Sequence, residues 1–156
     1  MWQKVIDVNL TAAFKLSREV LKEMLRRRWG RIVNITSAAV KSPIEILGLS
    51  NGARSGLTGF VAGIARRYAV HNVTINNLLP GVFDTDRIRT TTKAQAAKSG
   101  KTEDEIVAAR LASVPARRLG VADEFGAMCA FLCSTHGAYV TGQNILMDGG
   151  AFPGTM

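Results

Sequence analysis

Cysteine and histidine are scarce, with two of each in 156 residues. Neither Cys129 and Cys133 nor His71 and His136 form a cluster spaced to ligate a metal, so no metal site is expected. The i,i+4 spacing of the cysteines puts both on one face of a predicted helix, where small buried core residues are their expected role. His71 falls in a helix-to-strand turn and His136 in a late loop, both expected at the surface. No apolar run approaches the ~20 residues that span a bilayer. The opening "MWQKVIDVNL" lacks a basic segment followed by a long apolar block, so it is not read as a signal peptide, and a cytoplasmic location without membrane partners is expected. Aromatics are only 6% of the chain and do not interleave with the basic residues as stacking platforms would. The net charge of +8 therefore argues only weakly for nucleic acid. Two of its clusters, Arg26–Arg28 and Arg66–Arg67, fall near predicted helix ends, where cations suit the helix dipole; Arg117–Arg118 is the third.

What remains is an ordinary globular balance, 47% hydrophobic and 21% charged, long enough for a sizeable core. No repeat, low-complexity tract or linker divides it, so residues 1–156 are read as one domain. Over residues 3–28, Val5, Val8, Ala12, Leu16, Val20 and Met24 recur at three- and four-residue steps, a helix with one apolar face and Gly30 as its stop. "RIVNITS" reads as a strand. Residues 50–69 read as a second helix, with Leu57, Phe60, Val61, Ile64 and Ala65 on its buried side. "NVTINNLLPG" is a strand ending at Pro80–Gly81. Residues 84–101 are polar and aperiodic, which predicts a mobile loop with short helices. Thr102 and Glu105 have the spacing of a capping box, a further helix is expected over about 122–134, and "QNILMDGG" is the last strand. Strands alternating with helices predict an α/β fold with right-handed parallel units.

Four segments, in order and at fitting intervals, resemble the short-chain dehydrogenase/reductase family, in particular its 3-oxoacyl-carrier-protein reductase-like members. "DVNLTAAF" is similar to the helix that carries an active-site Asn, here Asn9. "GRIVNITS" is similar to the strand ending in the active-site Ser, here Ser37, 28 residues later. "NNLLPGVFDT" resembles the segment beside the nicotinamide, here Pro80, Gly81, Phe83 and Thr85. "RRLGVADEFGAMCAFLCSTHGAYVTGQNILMDGG" resembles the C-terminal signature. The resemblance implies an NAD- or NADP-dependent oxidoreductase moving hydride between a carbonyl and an alcohol, a small-molecule substrate, and homo-oligomerisation through the helices at 3–28 and 50–69. The segment 84–114 corresponds to the family's substrate lid.

Two departures qualify this. The family places a Tyr 13 positions after the Ser and a Lys four further on; here those positions hold Ser50 and Arg54. In the family the Tyr gives a proton to the carbonyl oxygen, and the Lys lowers the Tyr pKa and bonds the cofactor ribose. A phenol starts near pKa ~10 and becomes a useful acid after a modest shift. A serine hydroxyl starts far higher, is too short to reach the same point, and is expected here to cap its helix. Arg54 remains able to donate to a ribose or phosphate, but holds its proton too tightly to tune a neighbour. A water held by Asn9, Ser37 and Arg54 is one replacement proton source. Lys41 and Glu45, in the preceding loop, are expected as solvated charges.

The second departure is that no glycine-rich G-x-x-x-G-x-G or G-x-G-x-x-G turn precedes residue 60. The resemblance thus covers the C-terminal part of such an enzyme, with roughly the first hundred family residues unmatched. The expected fold is a partial Rossmann-like three-layer sandwich: the family's parallel strands 5-6-7, with the helices at 3–28 and 50–69 on one face and that at 122–134 on the other. "RIVNITS" becomes an unpaired apolar edge. A catalytically silent interaction module derived from the family is the alternative reading.

Overall fold

A computed structural model describes residues 2–155. Helix α1 (Trp2–Ile6) runs through a single π-turn (Asp7–Thr11) into α2 (Ala12–Arg26). The helix ends in a Schellman arrangement: Trp29 N donates to the Met24 carbonyl at 3.1 Å and Arg28 N to Leu25 at 3.2 Å. The left-handed residue that allows this is Arg28, at φ 52°, not the expected Gly30. Gly30 instead opens β1 (Gly30–Ile35), where a Cβ would lie 2.5 Å from the Met24 side chain.

Helix α3 (Gly48–Tyr68) returns the chain to β2 (Val73–Pro80), which pairs parallel to β1 from Gly30↔Val73 to Ile35↔Leu78. Helices α4 (Asp86–Ser99), α5 (Glu103–Ala112) and α6 (Ala122–Cys133) follow. They lead to β3 (Asn144–Met147), parallel to β2 from Asn77↔Asn144 to Pro80↔Met147. The sheet order β1-β2-β3 leaves β1 and β3 as edges among the described residues. The α/β architecture is the expected one.

Central position explains the composition of β2. Val73 to Leu79 are all buried, because helices cover both faces. Leu57, Val61 and Ala65 of α3 and Leu21 of α2 pack on Val73 and Ile75, with Ile32, Phe60 and Ile64 around them. Phe14 meets Phe60 edge to face at 4.8 Å. Side chains alternate across a strand, so Ile32 joins this core. Arg31 points to the opposite face, donating to the Ser134 carbonyl just past α6 at 3.2 Å. Three asparagines in the sheet bond one another in a row. Asn34 Nδ2 donates to Asn77 Oδ1 at 3.3 Å, and Asn77 Nδ2 donates to Asn144 Oδ1 at 2.7 Å, one amide from each strand.

Two expectations are corrected. Residues 86–99 are one helix rather than a mobile loop with short helices. Thr85 caps it by accepting from Ile88 N at 3.4 Å, and Gly100 closes it at φ 69°. Its buried residues are Thr92 and Ala96, too small and polar to produce an apolar period. Thr92 accepts from Arg110 of α5 at 2.8 Å. The apolar stripe that runs from the π-turn into α2 is open in part, beside the edge of β1 expected to be unpaired: Val8 and Leu16 are 64% and 67% exposed along a groove of about 500 Å3. Cys133 is exposed and Cys129 half-buried, so the pair is not a core pair.

Candidate active site

Parallel strands send the chain out from their C-terminal ends on one side of the sheet, and functional groups collect there. Ser37 follows β1 by two residues, and Gly81 follows β2. Ser37 is extended (φ −167°), and its Oγ accepts from Ala39 N at 3.1 Å, starting a short 3-10 turn. Its hydroxyl proton is left to donate elsewhere. Just before it, Thr36 is buried, and its Oγ1 has no partner among the described residues.

Asn9 lies at the centre of the π-turn. A π-turn widens a helix locally and often marks a working residue. Asn9 Nδ2 donates to the Val5 carbonyl at 3.0 Å, which fixes the amide and leaves Oδ1 as an acceptor. The sequence pattern marked Asn9 but not the break in the helix.

Ser50 does not cap α3. The helix starts two residues earlier, at Gly48, with Leu47 in the cap position and no side-chain cap bond. Ser50 therefore lies in the first turn, and its Oγ accepts from Arg54 Nε at 3.2 Å. Arg54 is one turn further along the same face. Its Nη1 donates to the Thr36 and Ile35 carbonyls, the latter at 3.4 Å. The guanidinium thus ties the first turn of α3 to the end of β1. Burial, with the charge of Arg87 second, pushes the Arg54 pKa below the ordinary arginine value. It stays charged at neutral pH. Ser50 lacks both the reach and the acidity of a phenol, while the bond from a cation polarises its hydroxyl.

Asn9, Ser50 and Arg54 line one cavity of about 690 Å3, floored by Val5 and the start of α3. Sequence spacing found these three. It missed Arg87, from α4, which lines the same cavity. The available signal was a cation in the first turn of a helix, where the dipole disfavours it, and that signal vanishes when the segment is read as a loop.

The other marked residues are placed elsewhere. Gly81 N donates to the Met147 carbonyl at 2.8 Å, and a Cβ on Gly81 would sit 2.7 Å from the Asp148 Cα. Glycine there lets β2 close onto the end of β3. Phe83 packs edge to face on Phe125 at 5.2 Å and against Gly120. It lines a separate cavity of about 290 Å3 with Arg118, Glu124 and Asp148. Thr85 is exposed at the start of α4, its oxygen engaged in capping and its proton free. Lys41 lies 5.9 Å from the Phe152 ring, Glu45 and His136 are exposed, and His71 is half-buried.

Comparison with known proteins bears on this arrangement. A family profile described as Enoyl-(Acyl carrier protein) reductase matches residues 1–151. Nodulation protein G of Rhizobium sp. (strain N33) is 38% identical over 151 residues, covering 96% of this chain and 56% of that protein. The 3-oxoacyl-[acyl-carrier-protein] reductase FabG of Vibrio cholerae is 38% identical over 153 residues, covering 97% and 57%. Among solved structures, actinorhodin polyketide ketoreductase with NADPH superposes with a TM-score of 0.88 at 29% identity, covering 96% of this chain and 58% of that one. The chain spans little more than half the length of these relatives.

Proposed function

The chain belongs to the short-chain dehydrogenase/reductase family, and on that premise we propose that it is the substrate and nicotinamide side of an NAD(P)-dependent carbonyl reductase or alcohol dehydrogenase. The observation that carries the reading is the cavity that Asn9, Ser50 and Arg54 share, with Arg54 bonded to the Thr36 carbonyl next to Ser37 just past the C-terminal end of β1. This is the end at which an open parallel sheet binds its ligand. Residues 1–156 act in it as one domain.

When bound, NAD(P) would supply or accept the hydride. The residues present fit its nicotinamide end. Arg54 has donors for a ribose hydroxyl, Thr85 has a free hydroxyl proton, and Pro80 and Gly81 form the strand end beside them. Phe83 contributes from behind, by fixing the segment against Gly120. Nothing in the sequence provides the glycine-rich turn that holds a pyrophosphate. The chain alone therefore binds NADPH more weakly than about 10 µM.

The chain's own residues divide the remaining work. The Ser37 hydroxyl donates to a substrate carbonyl oxygen and fixes its position. Asn9 Oδ1 holds a water, and Arg54 holds both Ser50 and the strand end. Proton delivery falls to that water or to the polarised Ser50, both poorer acids than a phenol. Slow or absent redox chemistry is the expected consequence. Family members associate through the counterparts of α2 and α3, and exposed Phe14, Leu16 and Val20 support the same use here. The second reading, an interaction module without turnover, would use the open groove along β1 as its surface.

One experiment separates the two. The chain is fused behind the dinucleotide-binding half of a curated relative, and NADPH-dependent ketone reduction is followed. The fusion should turn over slowly, Ser37→Ala should abolish that activity, and Ser50→Tyr with Arg54→Lys should raise it about a hundredfold. Folded fusions that bind NADPH but reduce nothing, with or without the paired substitution, would favour the interaction module.

A further inference from the structure

Most arginines in this molecule are accounted for. Arg18, Arg26, Arg89 and Arg118 each pair with a carboxylate. Arg31 is spent on the carbonyls of Gly30, Asn72 and Ser134. Arg66 and Arg67 project from the last turn of α3, where the helix dipole favours a cation. Arg54 and Arg87 are different.

Arg87 sits in the first turn of α4, the wrong end for a cation, and makes no hydrogen bond or ion pair with any described residue. Its neighbour Asp86 is taken by Arg89 at 3.1 Å. Arg54 uses Nε on Ser50 and Nη1 on the two strand carbonyls. A guanidinium carries five N–H donors, so both protons of Nη2 remain unspent. The two arginines line one cavity of about 690 Å3, and none of the residues lining it is acidic. The uncapped first turn of α3 opens into the same space through Gly48, Leu49 and Ser50, adding backbone N–H groups that have no side-chain acceptor. Partial burial of Arg54, with repulsion from Arg87 second, disfavours its charge, and an anion between the two would offset both.

We propose that the cavity between Arg54 and Arg87 is a binding site for a small oxyanion, so that the substrate is a carbonyl compound bearing a carboxylate or phosphate group. The inference rests on reading this cavity as the substrate side of a reductase, and names the class of compound that enters it. The unspent planar fork of Arg87 and the two free protons of Arg54 Nη2 together suit an oxyanion better than a neutral acyl chain. α4 brings one arginine and α3 the other, so a bound anion would bridge the two helices. Arg87 is then a specificity device, rejecting neutral ketones by leaving two charges unpaired.

The test needs neither cofactor nor turnover. The chain, labelled with 15N, is titrated with acetate, with inorganic phosphate and with neutral acetamide at constant ionic strength. Acetate or phosphate should shift the Gly48, Leu49 and Arg54 Nε resonances saturably in the millimolar range, and acetamide should not. Arg87 is exposed, so Arg87→Gln keeps the fold while weakening anion affinity at least tenfold, and Arg87→Lys should fall between. The tighter of the two anions names the substrate group. Absence of a saturable response to both anions, an equal response to acetamide, or unchanged affinity in Arg87→Gln would each overturn the site. Failure here with an active fusion would leave a reductase of neutral substrates. Anion binding with an inert fusion would leave a binding site without the redox reading.

Discussion

Two cavities open near the C-terminal ends of the strands, and each holds an arginine. Beside Phe83, Arg118 is neutralised. Its Nη2 meets Glu124 Oε1 at 2.5 Å, and Glu124 Oε2 also accepts from Val121 N at 2.9 Å, closing the first turn of α6. The Phe83 ring fills the space above Gly120, leaving no room for a Cβ. Beside Asn9, Arg54 and Arg87 face a wider space with no acid in its lining. The first cavity is a joint whose charges and volumes are matched within the chain. The second is left with donors that the fold does not use. Residue type does not separate a structural arginine from a binding one; spare N–H groups that face a cavity with no acid in its lining do.

The largest expected effect breaks the joint. Gly120→Ala places a Cβ 2.5 Å from the Phe83 ring, which also packs on Phe125. Overpacking of this kind costs about 1–3 kcal/mol, so urea unfolding should show a clear drop in midpoint at unchanged slope. An unaltered midpoint would mean that the ring is not held. Arg54→Gln comes next. Glutamine is too short to bridge α3 to the end of β1, and the Thr36 carbonyl loses a charged donor. About 1–2 kcal/mol of stability should go, read by the same measurement. If stability stays constant, Arg54 is wholly a ligand residue, and the contrast between the two cavities sharpens. The smallest effect is a titration. Arg118, followed by the Val121 N–H, holds the Glu124 carboxyl down at about 2, against an ordinary 4.5. A depressed carboxyl lends stability that is complete above the unfolded pKa and disappears as pH falls through the folded one. The loss therefore falls between about 4.5 and 2. NMR should place the Glu124 midpoint near 2, and Arg118→Gln should raise it toward, but not to, the ordinary value.

The residues that carry the resemblance were legible because their spacing is set by the fold. The step from Ser37 to Ser50 and Arg54 spans one strand end and one helix start, and a change in length would break it. The cap was misread because the Ser50 rule presumes a helix beginning at the polar residue, whereas α3 begins at Gly48 without a side-chain cap. Helix α4 was invisible because a helix shows itself by its apolar stripe, and this one buries a threonine and an alanine. Arg87 was lost with it. The stripe on α2 was visible, but periodicity says that a face is apolar and not what covers it; Leu16 and Val20 border the open edge of β1.

The row of Asn34, Asn77 and Asn144 has a consequence for how the chain finds its fold. Runs such as Val73–Leu79, apolar at most positions, tolerate sliding, since a strand shifted by two residues still presents apolar side chains to both faces. An asparagine carried two places along would meet a hydrocarbon neighbour, leaving a buried amide without its partner at about 1–3 kcal/mol. The three amides therefore act as a ruler for alignment. They add little to the depth of the native state and much to the height of its mis-threaded competitors.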